Sequence, residues 1–241
     1  VSKGFQFKQF SIEDNGCGMP VSTDGVLLGA WANVAEDDAV LDIGTGTGLL
    51  SLMLAQRALG ARIMAVDIDQ HAAETAALNA AASPWADRIT VAQQDVTEWD
   101  TCARFNTIIC NPPYFNSGEQ ANDARRATAR HTDTLSHAML LKVINARLLP
   151  TGQAHLILPS VEADKLIASA EAHHLVCLRI TEVKATPSKP VTRKLITLAS
   201  KSALPPSMPS EKIAMQHLVI QDKGAYTQDF ISLTKDFYLK M

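Results

Sequence analysis

Val40-Leu41-Asp42-Ile43-Gly44-Thr45-Gly46-Thr47-Gly48 is the stretch on which the reading of this chain turns. It begins as the apolar run Ala39–Ile43, which reads as a strand, and it opens onto Leu49–Leu59, whose apolar spacing of three and four is helical. Between them lie three glycines at alternate positions, residues that allow a tight turn and let a ligand approach the backbone, with a helix N-terminus behind them. A dinucleotide fingerprint would space its glycines GxGxxG, but position 49 is Leu, and an acid, Asp42, stands two residues before Gly44. That acid disfavours a pyrophosphate and favours a cationic ligand. A nicotinamide or flavin site and a purely structural glycine turn are the alternatives at this point.

Working outward, the strand pattern recurs at Arg62–Val66, Ile89–Ala92, Phe105–Cys110, Ala154–Leu158, Val176–Val183 and Leu195–Ala199. Helical spacing fills Gln70–Ala82, with Asp69 as N-cap, and Leu135–Leu148, while Gly60 reads as the stop of the helix before it. The alternation predicts a doubly wound α/β fold with a mainly parallel, seven-stranded sheet. Two strands around Lys184–Arg193 have no helix between them and predict an antiparallel terminal hairpin. Residues 203–211, with three prolines and two serines, read as an extended connection, and Tyr226–Met241 as a last amphipathic helix presenting Phe230, Leu233, Phe237 and Tyr238. Tyr114 to Asp133 carries no regular pattern, and a loop of that length in a compact domain is usually functional or disordered.

Acids recur where successive strands end. Asp67 closes the second strand, where a carboxylate can accept both hydroxyls of a ribose, and Asp95 follows the third, where it can meet an adenine edge or serve a solvated turn. Asp69 is better explained as a helix cap. The fourth strand runs into Asn111-Pro112-Pro113-Tyr114, in which two prolines fix the backbone and delete two donors. The Asn111 side-chain oxygen and the Pro112 carbonyl can both accept from one NH2 group, and Tyr114 offers a face on which a planar base or amide can stack.

The 241 residues, 46% apolar and 20% charged, suffice for a sizeable core and are read as one domain: a segment 1–38 ahead of the first strand, a core 39–200 and an extension 201–241. No run of about eighteen apolar residues and no apolar stretch near Lys3 and Lys8 is present, so neither a span nor a signal peptide is expected and the cytoplasm is. Cys17, Cys102, Cys110 and Cys177 are scattered, which predicts reduced thiols and no metal site. A net charge of -3 requires any nucleic-acid site to be a local patch. Arg125, Arg126, Arg130 and His131 in the long loop, and Lys184, Lys189, Arg193 and Lys194 in the hairpin, are the candidates; solvated faces are the alternative for both groups.

Asp42 to Gly48, Asp67, Asp95 and Asn111 to Tyr114 resemble the successive motifs of the class I S-adenosylmethionine methyltransferases that methylate amino groups, a Rossmann-like fold. Phe7 to Phe10, Val21 to Trp31, Ser83-Pro84-Trp85 and Phe237-Tyr238 extend the likeness, nearly end to end, to the bacterial tRNA adenosine-37 N6-methyltransferases that act on a valine tRNA. That resemblance implies S-adenosyl-L-methionine as cofactor, tRNA as partner, and a helix beginning at Thr23-Asp24-Gly25 that covers the cofactor, with Asp24 in a binding role. Pro20 departs from it, standing where a Lys is expected between Met19 and Val21. Protein glutamine methyltransferases share the Asn-Pro-Pro-Tyr chemistry but carry a helical domain ahead of the core, where this sequence has 38 residues before its first strand. DNA adenine methyltransferases usually add a recognition domain. A non-catalytic RNA-binding module that kept the fold is the reading from a different class, and the oligomeric state is left open.

Overall fold

The structure, a computed structural model, describes residues 4–16, 20–112, 135–203 and 213–240. Chain order gives β1 (Phe5–Gln6), β2 (Ser11–Ile12), α1 (Thr23–Trp31), β3 (Ala39–Ile43), α2 (Leu49–Arg57), β4 (Arg62–Asp67) and α3 (Gln70–Ala81). It continues with β5 (Ile89–Gln93), β6 (Phe105–Cys110), α4 (His137–Arg147), β7 (Leu148–Pro159), α5 (Ser160–Ala170), β8 (Leu175–Lys184) and β9 (Val191–Ser200). β10 (Ala214–Val219), β11 (Gln221–Asp222), β12 (Ala225–Tyr226) and α6 (Gln228–Thr234) complete it.

The main sheet has eight strands in the order β10-β8-β9-β7-β6-β3-β4-β5. All seven strands expected from the sequence are present, and β9 alone is antiparallel to its neighbours β7 and β8. The eighth, β10, adds to the edge parallel to β8 and was not anticipated. Its residues Ala214, Met215, Gln216 and His217 are exposed and only Leu218 is buried, so it lacks the apolar run that marks a strand in sequence. α5 was also missed. The final helix is shorter than expected: it stops at Thr234, and Phe237 reaches the core from a turn whose amide bonds to the Thr234 carbonyl.

Helix starts follow local chemistry. Ser22, Asp69, Ser136 and Thr227 each accept an amide three residues on, from Gly25, Ala72, Met139 and Phe230. α2 ends at Arg57, ahead of Gly60, whose amide donates to the Glu36 carbonyl at 3.0 Å.

Strand alternation sorts the sheet into two faces. Val40, Ile63, Ile109, Ile157, Val183, Leu195 and Leu218 face a layer containing α1, α2 and α6. Leu41, Val66, Ile108, Leu156, Leu158, Ile180 and Ile196 face α4 and α5. β3 to β7 run parallel and so have their carboxyl ends at one edge of the sheet, where β3 leads into α2.

Candidate active site

The Gly44–Gly48 loop is held by the next strand. The Gly44 and Thr45 amides both donate to the Val66 carbonyl, at 2.9 and 3.0 Å, and the Gly46 amide donates to Asp67 Oδ2 at 2.9 Å. These three amides are engaged inside the protein. What the loop offers instead is room. Gly44 and Gly46 have φ of +69° and +57°, and a Cβ on either would meet nothing within 4 Å. A ligand can approach this backbone where any other residue would project a side chain.

Asp42 lies behind that loop, fully buried, on the face of β3 turned to α2. Its Oδ2 accepts from the Thr45 and Ser51 hydroxyls, both at 2.7 Å, while Oδ1 is buried without a hydrogen-bond partner. Burial pushes this carboxyl up to about 6, against the two hydroxyls, which pull it down. Asp42, expected to meet the ligand, has no exposed surface in this structure, and its bond to Thr45 braces the loop from beneath.

Asp67 sits at the carboxyl end of β4, half-buried, with Oδ1 accepting from the Asp69 amide at 3.0 Å as Oδ2 accepts from Gly46. Burial raises its carboxyl, opposed by those two amides. A carboxylate offers about four acceptor positions, so one bond on each oxygen leaves capacity for hydroxyl donors. Asp95 is engaged in its own turn, Oδ1 accepting from the Thr97 amide and hydroxyl at 2.8 and 2.7 Å. Ligand contact by Asp95 must therefore use its other oxygen.

Asn111 follows β6 at the same edge, and its Oδ1 is buried with no hydrogen-bond partner among the described residues. A Cβ on Gly25 would lie 2.9 Å from Leu49 Cδ2, 3.6 Å from Ser22 Oγ and 4.0 Å from Asn111 Nδ2, so the first turn of α1 rests on the start of α2 and beside Asn111. The buried Pro112 comes next; Pro113, Tyr114, Arg125, Arg126, Arg130 and His131 lie outside the described residues. Cys110, one residue before Asn111, is buried and its thiol is pushed far up by that burial, which removes it as a nucleophile.

The hairpin cations divide. Lys189 is exposed and Lys184 half-buried near the hairpin tip. Arg193 Nε donates to Asp24 Oδ2 at 2.7 Å on the α1 face. Lys194, one residue on and so on the opposite face, lies 2.7 Å from Asp164 and 3.5 Å from Glu182. The two basic residues expected to form one patch with Lys189 thus point to different sides of the sheet and are both held by carboxylates.

Sequence reasoning missed Asn79. This buried side chain on α3 donates to the Thr47 and Glu13 carbonyls and accepts from the Glu13 amide, tying the N-terminal segment to the glycine loop. Ser51 was legible in principle, since the hydroxyl of a helix's first turn can reach back to an acid at the preceding strand's end.

An open glycine backbone at the strand ends, an acid braced beneath it, a half-buried carboxylate beside it and an amide oxygen with no partner among the described residues lie at the carboxyl edge of the strands, where α/β sheets bind ligands. Residues 25–157 match the family model of the methyltransferase small domain, and the chain belongs to that family. A solved structure described as a predicted O-methyltransferase of Agrobacterium tumefaciens has the same fold, with a TM-score of 0.68 at 20% identity over 89% of this chain and 96% of that one. A glycopeptide N-methyltransferase solved with sinefungin matches at 0.55 and 14% identity over 74% and 94%. Two relatives, from Photobacterium profundum and Vibrio cholerae, are 50% and 49% identical over 100% of this chain and 100% and 97% of their own lengths. Both are tRNA1(Val) (adenine(37)-N6)-methyltransferases, and within the wider family the chain belongs with them.

Proposed function

We propose that this chain uses S-adenosyl-L-methionine to methylate N6 of an adenine in tRNA, adenosine 37 in the anticodon loop of a valine tRNA, in the cytoplasm. The observation that carries the chemistry is the buried Oδ1 of Asn111 at the end of β6, which has no hydrogen-bond partner among the described residues. A buried acceptor left unsatisfied costs roughly 1–3 kcal/mol, and an exocyclic NH2 group supplies the donor it lacks. The names of relatives about 50% identical along the whole chain supply the adenine and the tRNA.

The residues fit the cofactor. Gly44 and Gly46 leave an approach to the backbone open; Asp67, with acceptor capacity left beside its bond to Gly46, would accept from the ribose hydroxyls, and Asp95 would meet the adenine edge through the oxygen its own turn does not use. Asp42 sets a negative charge beneath the loop, favouring a sulfonium and ammonium over a phosphate. When bound, the cofactor supplies a methyl group already activated for transfer, so no strong base is required of the protein. Asn111 and the Pro112 carbonyl accept the two amine hydrogens and hold the nitrogen lone pair in line, with Pro113 and Tyr114 supporting the base. The proton leaves to water. Lys189, at the exposed hairpin tip, and Arg125, Arg126 and Arg130 are the RNA contacts in this reading; an anticodon base is already unpaired, which spares the few kcal/mol of flipping it from a duplex. No helix among the described residues is long and apolar enough to cross a membrane.

Incubating the protein with labelled cofactor and bulk tRNA from a strain lacking the activity tests this directly. N6-methyladenosine in the anticodon loop of valine tRNA is the expected product by nucleoside mass spectrometry. Label on a protein glutamine, or on no nucleoside, overturns it.

A further inference from the structure

We propose that Arg193 is a positioning residue for the helix that covers the cofactor, acting through Asp24, and is not an RNA phosphate ligand. The inference rests on the cofactor site proposed above and deepens it. Three observations converge on it.

Asp24 is the acid in the first turn of α1, and Arg193 Nε lies 2.7 Å from its Oδ2. The side chains are only 31% and 18% exposed, so this pair is partly withdrawn from solvent and less screened than a surface bridge. Second, Arg193 stands opposite Pro159 on β7 and Val183 on β8, at the same sheet edge as the ligand loop. Alternation turns it toward α1, whereas Lys194 turns toward α5. Third, the turn it holds is the one that touches the chemistry, because Gly25 packs on Leu49 and beside Asn111.

The far end of α1 is fastened separately. Arg57 donates to the Gly29 and Ala32 carbonyls at 2.8 and 2.7 Å, and the Arg179 guanidinium lies 3.7 Å above the Trp31 ring. With that end anchored, the contacts that hold the first turn among the described residues include the Ser22 cap, its seat on Leu49 and the Asp24–Arg193 pair. Arg193 therefore sets where α1 sits over the glycine loop.

The test is a double-mutant cycle of Arg193→Gln and Asp24→Asn, read by calorimetric S-adenosyl-L-methionine affinity and by tRNA affinity at several salt concentrations. Each single variant is expected to weaken cofactor affinity about tenfold, and the double variant no more than either, as for two residues acting through one contact. Arg193→Lys, which keeps the charge, should recover most of the loss. The slope of log tRNA affinity against log salt should stay as in the wild type. Cofactor affinity unchanged in Arg193→Gln, losses that add in the double variant, or a salt slope reduced by the roughly 0.7 to 0.9 of one phosphate contact would each overturn the proposal. Should Arg193→Gln fail to fold, Asp24→Asn and Arg193→Lys carry the same comparison. A wild-type protein that binds no cofactor refutes the site itself; a wild type that binds, with variants that bind equally, refutes only this role for Arg193.

Discussion

Asn111 and Asp67 divide the work at the carboxyl edge of the sheet, and their variants should divide the kinetics. Asn111 Oδ1 has no hydrogen-bond partner among the described residues, so its removal breaks no bond of that oxygen there. Asn111→Ala should lower kcat by roughly a hundredfold, the size of losing one donor or acceptor aimed at the reacting group, with cofactor affinity little changed. A variant turning over tRNA at the normal rate would remove the amine-orienting role. Asp67 differs because it already accepts from Gly46 and Asp69, so Asp67→Ala loses the ribose acceptor and unfastens the loop as well. Two charge-assisted bonds are worth about 1.5–3 kcal/mol each, which predicts cofactor affinity down by roughly a hundredfold or more; circular dichroism should show the fold retained, and calorimetry reporting wild-type affinity would reject the assignment. The positions of both residues were readable in the sequence, because each follows a recognisable strand. Their partners were not: that Asp42 would be wholly buried, and that Lys194 would be held between Asp164 and Glu182, depends on which face each strand residue takes against helices distant in sequence.

At the scale of elements, the β3-loop-α2 unit carries a titrating group in its core. Asp42 is held at about 6, above its ordinary 3.8, by burial. The folded state therefore binds the proton more tightly than the unfolded chain does, so this group's contribution to stability is full below about pH 4 and is lost as the pH rises through about 6. Asp42→Asn should flatten that decline, and urea unfolding of both proteins between pH 4 and 7 measures the difference. The expected gain for the variant at pH 7 is on the order of 3 kcal/mol, at about 1.4 kcal/mol for each tenfold difference in proton affinity between the folded and unfolded chain; parallel curves would show that Asp42 is not the titrating group. Elements with strong periodicity or a capping residue, such as α3 with Asp69 and α4 with Ser136, were legible at nearly their observed bounds. β10 escaped because exposed edge residues follow no apolar alternation. The end of α6 escaped because Phe230 and Phe237 both reach the core although the helix stops between them.

Across the whole molecule, early and late parts of the chain close on each other. Phe7 stacks on Phe10 at 4.6 Å and on Tyr238 at 6.0 Å, the Lys8 amide donates to the Phe237 carbonyl at 2.9 Å, and Phe7, Phe230 and Phe237 are almost fully buried in one cluster. Phe7→Ala should cost about 3–5 kcal/mol, read by urea unfolding, and a loss below about 1 kcal/mol would show that the aromatic cluster does not hold these segments together. The same long reach governs α1. Trp31 bonds through its indole nitrogen to Thr181, 150 residues further on, beneath the guanidinium of Arg179. During synthesis, every residue assigned to the cofactor has left the ribosome long before Thr181 exists to receive that indole. Contacts so distant in sequence form late, and until Thr181 is made the nascent chain carries its glycine loop beneath a helix held by the nearby Arg57 and Leu49 but lacking its later bonds.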